Sequence, residues 1–238
     1  AEFLDKLVKV HKISSSDITN KPFVEKIAAF RKPILLSTGA SELHEIFETL
    51  SWIKNYDNPV CLLHCVLNYP TPDYQANLGM IQLLQKEFPN HVIGYSDHTL
   101  PGKMENCFNA FLLGAKVIEK HFTHDKSLPG NDHYHAMNIH DIKVLIKKIN
   151  NFKKTFGNEK SFNINEQINA RTNARRSLIS SKNIKKGSII SENDLTYKRP
   201  GTGISPKFIN NVIGSLVKQD IKKDTILRWD YLVQKEQK

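Results

Sequence analysis

Gly94-Tyr95-Ser96-Asp97-His98-Thr99 and Val117-Ile118-Glu119-Lys120-His121-Phe122-Thr123 each read as a short apolar strand ending in polar residues. Each delivers a histidine, His98 or His121, at or just past the strand's C-terminal end, with a helix-like stretch between them. Strand, helix, strand in this order implies parallel neighbours. Parallel α/β sheets keep their chemistry in the crevice at the C-terminal strand ends. Two neutral imidazoles in one crevice, with carboxylates nearby, are a donor set for a divalent cation.

The same alternation extends outward from this pair. Leu7–Ser15, Pro33–Ser37, Val60–Cys65, His91–Tyr95 and Ala115–Glu119 read as strands. Pro22–Phe30, Ala76–Phe88, Met104–Leu113 and Ile139–Phe152 read as helices. Ser41 is the expected N-cap of one more helix, with Glu42 and Glu45 in its first turn. Five such units in about 150 residues fit the unit size of an eight-fold barrel of roughly 250 residues. The expected fold class is therefore α/β, a partial TIM barrel over residues 1–152. Five units cannot close the barrel, and the chain begins with Ala1, so it reads as lacking its N-terminal strands. Residues 153–175 are polar and Asn-rich and read as a linker. Residues 176–238 read as a small β-rich domain. Its expected strands are Ser177–Ser180 and Ile189-Ile190, and its helical pieces Asn193-Asp194-Leu195 and Ile209–Ile213.

Composition narrows the function classes. The chain has 238 residues, 39% of them hydrophobic. It contains no apolar run near the roughly 20 residues of a membrane helix and no secretory signal pattern. Cys61, Cys65 and Cys107 lack zinc-finger spacing and read as buried free thiols in a reducing cytoplasm. The net charge of +10 is uneven: residues 1–140 carry 13 Lys+Arg against 15 Asp+Glu, residues 141–238 carry 21 against 9. A basic module can bind nucleic acid or steer anionic substrates. No aromatic-interleaved basic patch accompanies it, so nucleic acid is not the expected partner.

The ordered motifs are more specific. They are Lys12-Ile13-Ser14-Ser15-Ser16-Asp17, Ser37-Thr38-Gly39, Tyr69-Pro70-Thr71-Pro72, Gly94–Thr99, Ile118–Thr123, Gly130-Asn131-Asp132-His133 and Lys198-Arg199-Pro200-Gly201-Thr202-Gly203-Ile204. Together, over essentially the whole chain, they resemble the sialic acid (N-acetylneuraminate) synthase family. The resemblance implies strands four to eight of a TIM barrel followed by an antifreeze-like (SAF, β-clip) domain. It implies a transferase that condenses phosphoenolpyruvate with N-acetylmannosamine or a related N-acetylated sugar, giving a sialic or other nonulosonic acid and phosphate. A metal, Mn²⁺ with Mg²⁺ or Co²⁺ as alternatives, would sit on His98 and His121. Phosphoenolpyruvate would meet Lys12, Ser15, Asn68, Tyr69 and Ser96. The sugar would meet Asp132, and Arg199 supplied by the partner in a domain-swapped homodimer. Asp17 stands where the family usually has glutamate, and Leu67 where it often has a polar residue.

The residue types suit that chemistry. A polyanion calls for Lys12 and for hydroxyl donors such as Ser15 and Ser96. A metal on two imidazoles is a Lewis acid for an aldehyde. Glu119, Asp17 and Asp132 are the candidate acid–base carboxylates for orienting or deprotonating water. Read alone, Asp132 lies in the turn sequence Pro129-Gly130-Asn131-Asp132, where a structural role is the simpler one. His124, His133 and His135 are alternative ligands, with His133 and His135 expected as loop residues or supports for ligands. The competing functional readings are another metal-dependent barrel aldolase or lyase, and an inactive fragment serving as a carbohydrate-binding module.

Overall fold

The computed structural model describes residues 1–157, 162 and 164–233. The chain divides into two compact units, Ala1–Gly157 and Asn158–Lys238. The first alternates helix and strand: α1 (Glu2–Asp5), β1 (His11–Ile13), α2 (Lys21–Ala28), β2 (Ile34–Ser37), α3 (Leu43–Lys54), β3 (Val60–Cys65), α4 (Gly79–Glu87), β4 (Val92–Asp97), α5 (Glu105–Leu112), β5 (Ile118–Lys120) and α6 (Ile139–Phe156). The strands form one parallel sheet in the order β1-β2-β3-β4-β5, the partial TIM barrel that the sequence implies.

Strand periodicity divides the sheet into a core face and a site face. Ile13, Leu36, Leu62 and Ile93 pair in register across β1–β4 and are all buried. They join Val24 and Ile27 of α2, Ile46 and Ile53 of α3, and Ile81 and Leu84 of α4 in one core cluster. Each fully buried aliphatic side chain contributes about 1.5–3 kcal/mol. Neighbouring positions point to the opposite face. There Cys65, Ser96 and Glu119 pair across β3, β4 and β5. A Cβ on Gly94 would lie 2.4 Å from Leu63 Cδ2 and 2.6 Å from the Val117 carbonyl oxygen. Only a bare α-carbon lets β4 approach this closely.

Several boundaries differ from the sequence expectation, each for a local reason. The strand expected over Leu7–Ser15 shrinks to His11–Ile13, because Val8 lies in a turn whose carbonyl accepts from Lys32 at 3.1 Å. Helix α4 starts at Gly79, not Ala76, because Asp73–Gln75 form a separate 3₁₀ turn. Ser41 is not the N-cap of α3. Glu42 is, its backbone N–H donating to the Glu45 carboxylate at 2.8 Å. Strand β4 runs to Asp97, and β5 begins only at Ile118. Helix α6 continues past Phe152 to Phe156, with Lys153 and Lys154 suited to the negative end of its dipole.

The second unit contains α7 (Ile168–Ala174), β6 (Ser177–Ser180), β7 (Leu195–Lys198), α8 (Ile209–Val212), β8 (Leu216–Val217) and β9 (Leu232–Val233). β6 pairs antiparallel with β7, and β8 with β9, around a core of Leu178, Ile190, Ile204, Val212, Val217 and Leu227. The linker expected over 153–175 lies partly outside the described residues (158–161 and 163). Its described part is not plain coil, since it includes the end of α6 and all of α7. Ile189-Ile190 forms a single bridge to Leu216 rather than a strand, and Leu195 opens β7 instead of closing a helical piece. Among the described residues no helix is long and apolar enough to cross a membrane.

Asp194 caps the 3₁₀ turn before β7. It accepts from the Ser191 backbone and hydroxyl, both at 2.7 Å, and from Lys182 at 2.7 Å. The Lys182 hydrogen bond, with the Ser191 donors, outweighs burial and holds its carboxyl at about 2. A depressed carboxylate contributes stability that is present above its unfolded pKa and lost as pH falls through the folded value. Asp194→Asn is expected to cost on the order of 1–2 kcal/mol at neutral pH, after discounting for the exposed lysine. Urea unfolding followed through Trp229 should show that gap at pH 7 and show it shrinking towards pH 2.

Candidate active site

A cavity of about 390 Å³ opens at the C-terminal ends of all five barrel strands, within the size range of small-molecule sites. β1 and the turn after it contribute Lys12 and Ser15. β2 contributes Ser37, β3 and its loop Cys65 and Tyr69, β4 Ser96 and His98, and β5 Glu119 and His121. Strand alternation sets the floor, since Cys65, Ser96 and Glu119 share one register row. Gly39 keeps that floor open. A Cβ there would lie 2.7 Å from Cys65 Sγ and 3.0 Å from Ser15 Oγ.

One side of the cavity is built for an anion. Lys12 Nζ donates to the Ile13 carbonyl at 3.0 Å and lies 3.6 Å from Glu119 Oε2, leaving donor capacity on the ammonium. The Ser37 hydroxyl is buried in the wall without a hydrogen-bond partner. Such a group costs free energy unless a ligand or water satisfies it.

The other side gathers imidazoles around Tyr69. The Tyr69 ring lies 4.2 Å from the His98 ring, 5.8 Å from His121 and 6.2 Å from His135, centroid to centroid. His98 and His121 are 5.4 Å apart, His121 and His135 5.3 Å. His98 Nδ1 donates to the Val66 carbonyl at 2.9 Å, which leaves the Nε2 lone pair free. Burial, reinforced by His121, pulls His98 below its ordinary pKa against that hydrogen bond, favouring the neutral ligand form. His135 is only 1% exposed, and neither ring nitrogen has a hydrogen-bond partner. The loop after β5 brings it there. Thr123 N–H donates to the Met137 carbonyl at 2.9 Å and Met137 N–H to the His121 carbonyl at 2.8 Å, folding residues 121–137 back on themselves. One donor atom from each of His121, Asp132 and His135 can be chosen so that all lie within 4.8 Å of one another. Two imidazoles and a carboxylate are a donor set that fits a divalent metal.

The bench beneath is a buried ion pair. Asp97 and Lys120 pair in register on β4 and β5, each immediately before its histidine, with Nζ 2.7 Å from Asp97 Oδ2 and side chains 2% and 1% exposed. Asp97 also accepts from the Tyr95 hydroxyl at 2.9 Å, the Thr99 backbone and hydroxyl, and the Cys107 thiol of α5. Burial pushes the Asp97 carboxyl up, but Lys120 and the Thr99 donors together hold it below its ordinary value.

Of the residues singled out from the sequence, Lys12, Ser15, Tyr69, Ser96, His98, Glu119 and His121 converge on this cavity. Asp17, Asn68 and Asp132 do not line it. Asp17 accepts from Asn20 at 3.3 Å, Asn68 donates to Gln75 at 3.1 Å, and Asp132 is exposed near His135, at 3.8 Å. Arg199 belongs to the second unit, where its Nε donates to the Ala174 carbonyl at 3.1 Å. The sequence reading names His135 only as an alternative ligand, with a loop or supporting role expected, and Asp97 and Lys120 are additions that it did not select. The spacing Asp132-x-x-His135 following a strand-end histidine was the available signal for His135.

The NeuB family model matches residues 1–161, and the SAF domain model matches residues 175–233. The chain is similar to the N,N'-diacetyllegionaminic acid synthase of Legionella pneumophila, 38% identical over 94% of this chain and 64% of the relative. It is similar to the synthase of the same name from Campylobacter jejuni, 40% identical over 93% of this chain and 66% of the relative. Among solved structures it resembles N-acetylneuraminic acid (sialic acid) synthetase from Leptospira borgpetersenii in complex with citrate. That match has a TM-score of 0.62 and 34% identity over 69% of this chain and 57% of the other. The chain thus spans about two thirds of the length of the curated relatives it matches.

Proposed function

This chain belongs to the NeuB family, and we propose that its cavity serves the condensation of phosphoenolpyruvate with an N-acetylated sugar aldehyde, giving a nonulosonic acid and phosphate. The observation that carries the reading is the joining, in one cavity, of an anion cradle (Lys12, Ser15, Ser37, Ser96) with an imidazole cluster. Phosphoenolpyruvate needs the first, and an aldehyde oxygen developing negative charge needs the second. The two legionaminic acid synthases support a sugar acceptor of the N-acetylated class.

In this reading Lys12 and the serines hold the phosphate and carboxylate. A divalent ion on His98 and His121, Mn²⁺ foremost, would supply the Lewis acid. Carbon 3 of the enol bonds to the aldehyde carbon, water adds at carbon 2, and the carbon–oxygen bond to phosphate breaks. Glu119 is the carboxylate among the cavity-lining residues, 3.6 Å from Lys12, and takes the proton of that water. Arg199, exposed at the end of the basic β7 segment, would reach the sugar in the cavity of a second copy of the chain.

Two measurements test this. Phosphate release should require phosphoenolpyruvate, an N-acetylated sugar and a divalent ion together. Turnover that survives chelation, or proceeds without phosphoenolpyruvate, would overturn the reading. Lys12→Met should weaken phosphoenolpyruvate binding about 10–100-fold, the value of one charge-assisted hydrogen bond. Calorimetric titration of phosphoenolpyruvate reads that loss directly.

A further inference from the structure

We propose that His135 is itself a metal ligand, so that the ion held by His121, the cavity-lining member of the set, rests also on Asp132 and His135 rather than on His98 and His121 alone. The inference rests on the metal-assisted reading above and deepens it. Its starting point is an imidazole that the fold buries and leaves unsatisfied. His135 is 1% exposed, yet neither ring nitrogen makes a hydrogen bond. The Asn131 carbonyl lies close to the ring, and Asp132 Oδ1, 3.8 Å from Nε2, is too far for a hydrogen bond. Buried polar side chains in native proteins are nearly always paired, so a doubly orphaned ring calls for a missing partner.

The surroundings say what that partner is. A hydrogen-bond donor would satisfy one nitrogen, but the near neighbours offer a second imidazole and a carboxylate. The donor atoms of His121, Asp132 and His135 all lie within 4.8 Å of one another. Tetrahedral ligands about 2.1 Å from a common ion lie about 3.4 Å apart, so the widest of these separations must close by up to about 1.4 Å, within the reach of side-chain rotation on this loop. Asp132 and His135 sit on a loop pinned at its far end to His121 by the Met137 hydrogen bonds, so ligation would join the loop to its own root. Should the Asn131 carbonyl close on one ring N–H, it would fix the tautomer and leave the other lone pair to the metal. Two imidazoles and one carboxylate form the set that suits late first-row ions with open positions for substrate and water. The chemical class of ligand is therefore Co²⁺, Fe²⁺, Zn²⁺ or Mn²⁺ rather than an oxygen-seeking Mg²⁺.

The test uses Co²⁺ alone, titrated into the full chain without substrate, and reads the visible absorption of the bound ion and its affinity by calorimetry. His135→Leu fills the pocket with an apolar side chain of similar bulk, and His135→Gln keeps a polar one. Circular dichroism confirms that each folds. Both should lower Co²⁺ affinity about 100-fold or more and change the absorption bands. Thermal unfolding gives a second readout. Co²⁺ should raise the melting temperature of the parent chain but not of His135→Leu. The metal-free His135→Leu chain should melt no lower than the parent, since it removes an unsatisfied buried imidazole. If both His135 variants bind Co²⁺ like the parent while His98→Ala and His121→Ala lose it, His135 is no ligand and the two-histidine site stands. If the parent chain binds no Co²⁺, the metal-assisted reading falls, and this inference with it.

Discussion

Asp97→Ala should unfold the barrel unit at denaturant concentrations where the parent chain is native. The substitution leaves the Lys120 ammonium, 1% exposed, without its counter-charge. It also strips the acceptor from the Tyr95 hydroxyl, the Thr99 backbone and hydroxyl, and the Cys107 thiol. Breaking one partner of a buried pair costs about 3–5 kcal/mol, a large share of the 5–15 kcal/mol that a domain typically has. The same physics predicts the rescue. Asp97→Leu with Lys120→Met removes both charges and should recover much of the loss, since a hydrophobic replacement of the whole pair is often close to neutral. Urea midpoints of the three chains decide it. A single variant within 1 kcal/mol of the parent, on the scale of an exposed pair, would mean that the pair does not carry the bench beneath the histidines.

His121→Ala carries the largest expected effect on turnover. His121 is common to the imidazole pair with His98 and to the cluster with Asp132 and His135. Its loss therefore disables the metal site on either assignment of the ligands. Lewis-acid stabilisation of several kcal/mol corresponds to about a 1,000-fold loss of kcat at 1.36 kcal/mol per decade. Phosphoenolpyruvate affinity should stay within about threefold, because Lys12 and the serines supply its anion contacts, and a transition-state interaction shows in kcat rather than in binding. Steady-state phosphate release and calorimetry separate the two. A variant that loses affinity and keeps kcat would place His121 in the anion cradle instead.

The sheet and its reactive end are legible in the sequence because strand alternation and the C-terminal position of His98 and His121 are local properties. The strand at Val60–Cys65 is read to the residue, since an apolar run interrupted only by His64 and flanked by Pro59 and Asn68 has no competing assignment. The Asp97–Lys120 pair is legible in principle. Each residue stands one place before its histidine, and parallel register sets them side by side with opposite charge. His135 is not legible that way. Its burial depends on Thr123 and Met137 pairing across a loop of more than ten residues, and Tyr134 beside it is 53% exposed. The early end of the first strand is likewise non-local, because Val8 is held in a turn by Lys32, far along the chain.

Crystals of the chain soaked with phosphoenolpyruvate and Mn²⁺, with data collected at the manganese edge, test the central claim most directly. The account predicts an anomalous peak bonded to His121 and, in the same cavity, the phosphate of phosphoenolpyruvate against Lys12 and the serines at the strand ends. An ion bound away from His121, or phosphoenolpyruvate bound outside this cavity, would contradict it.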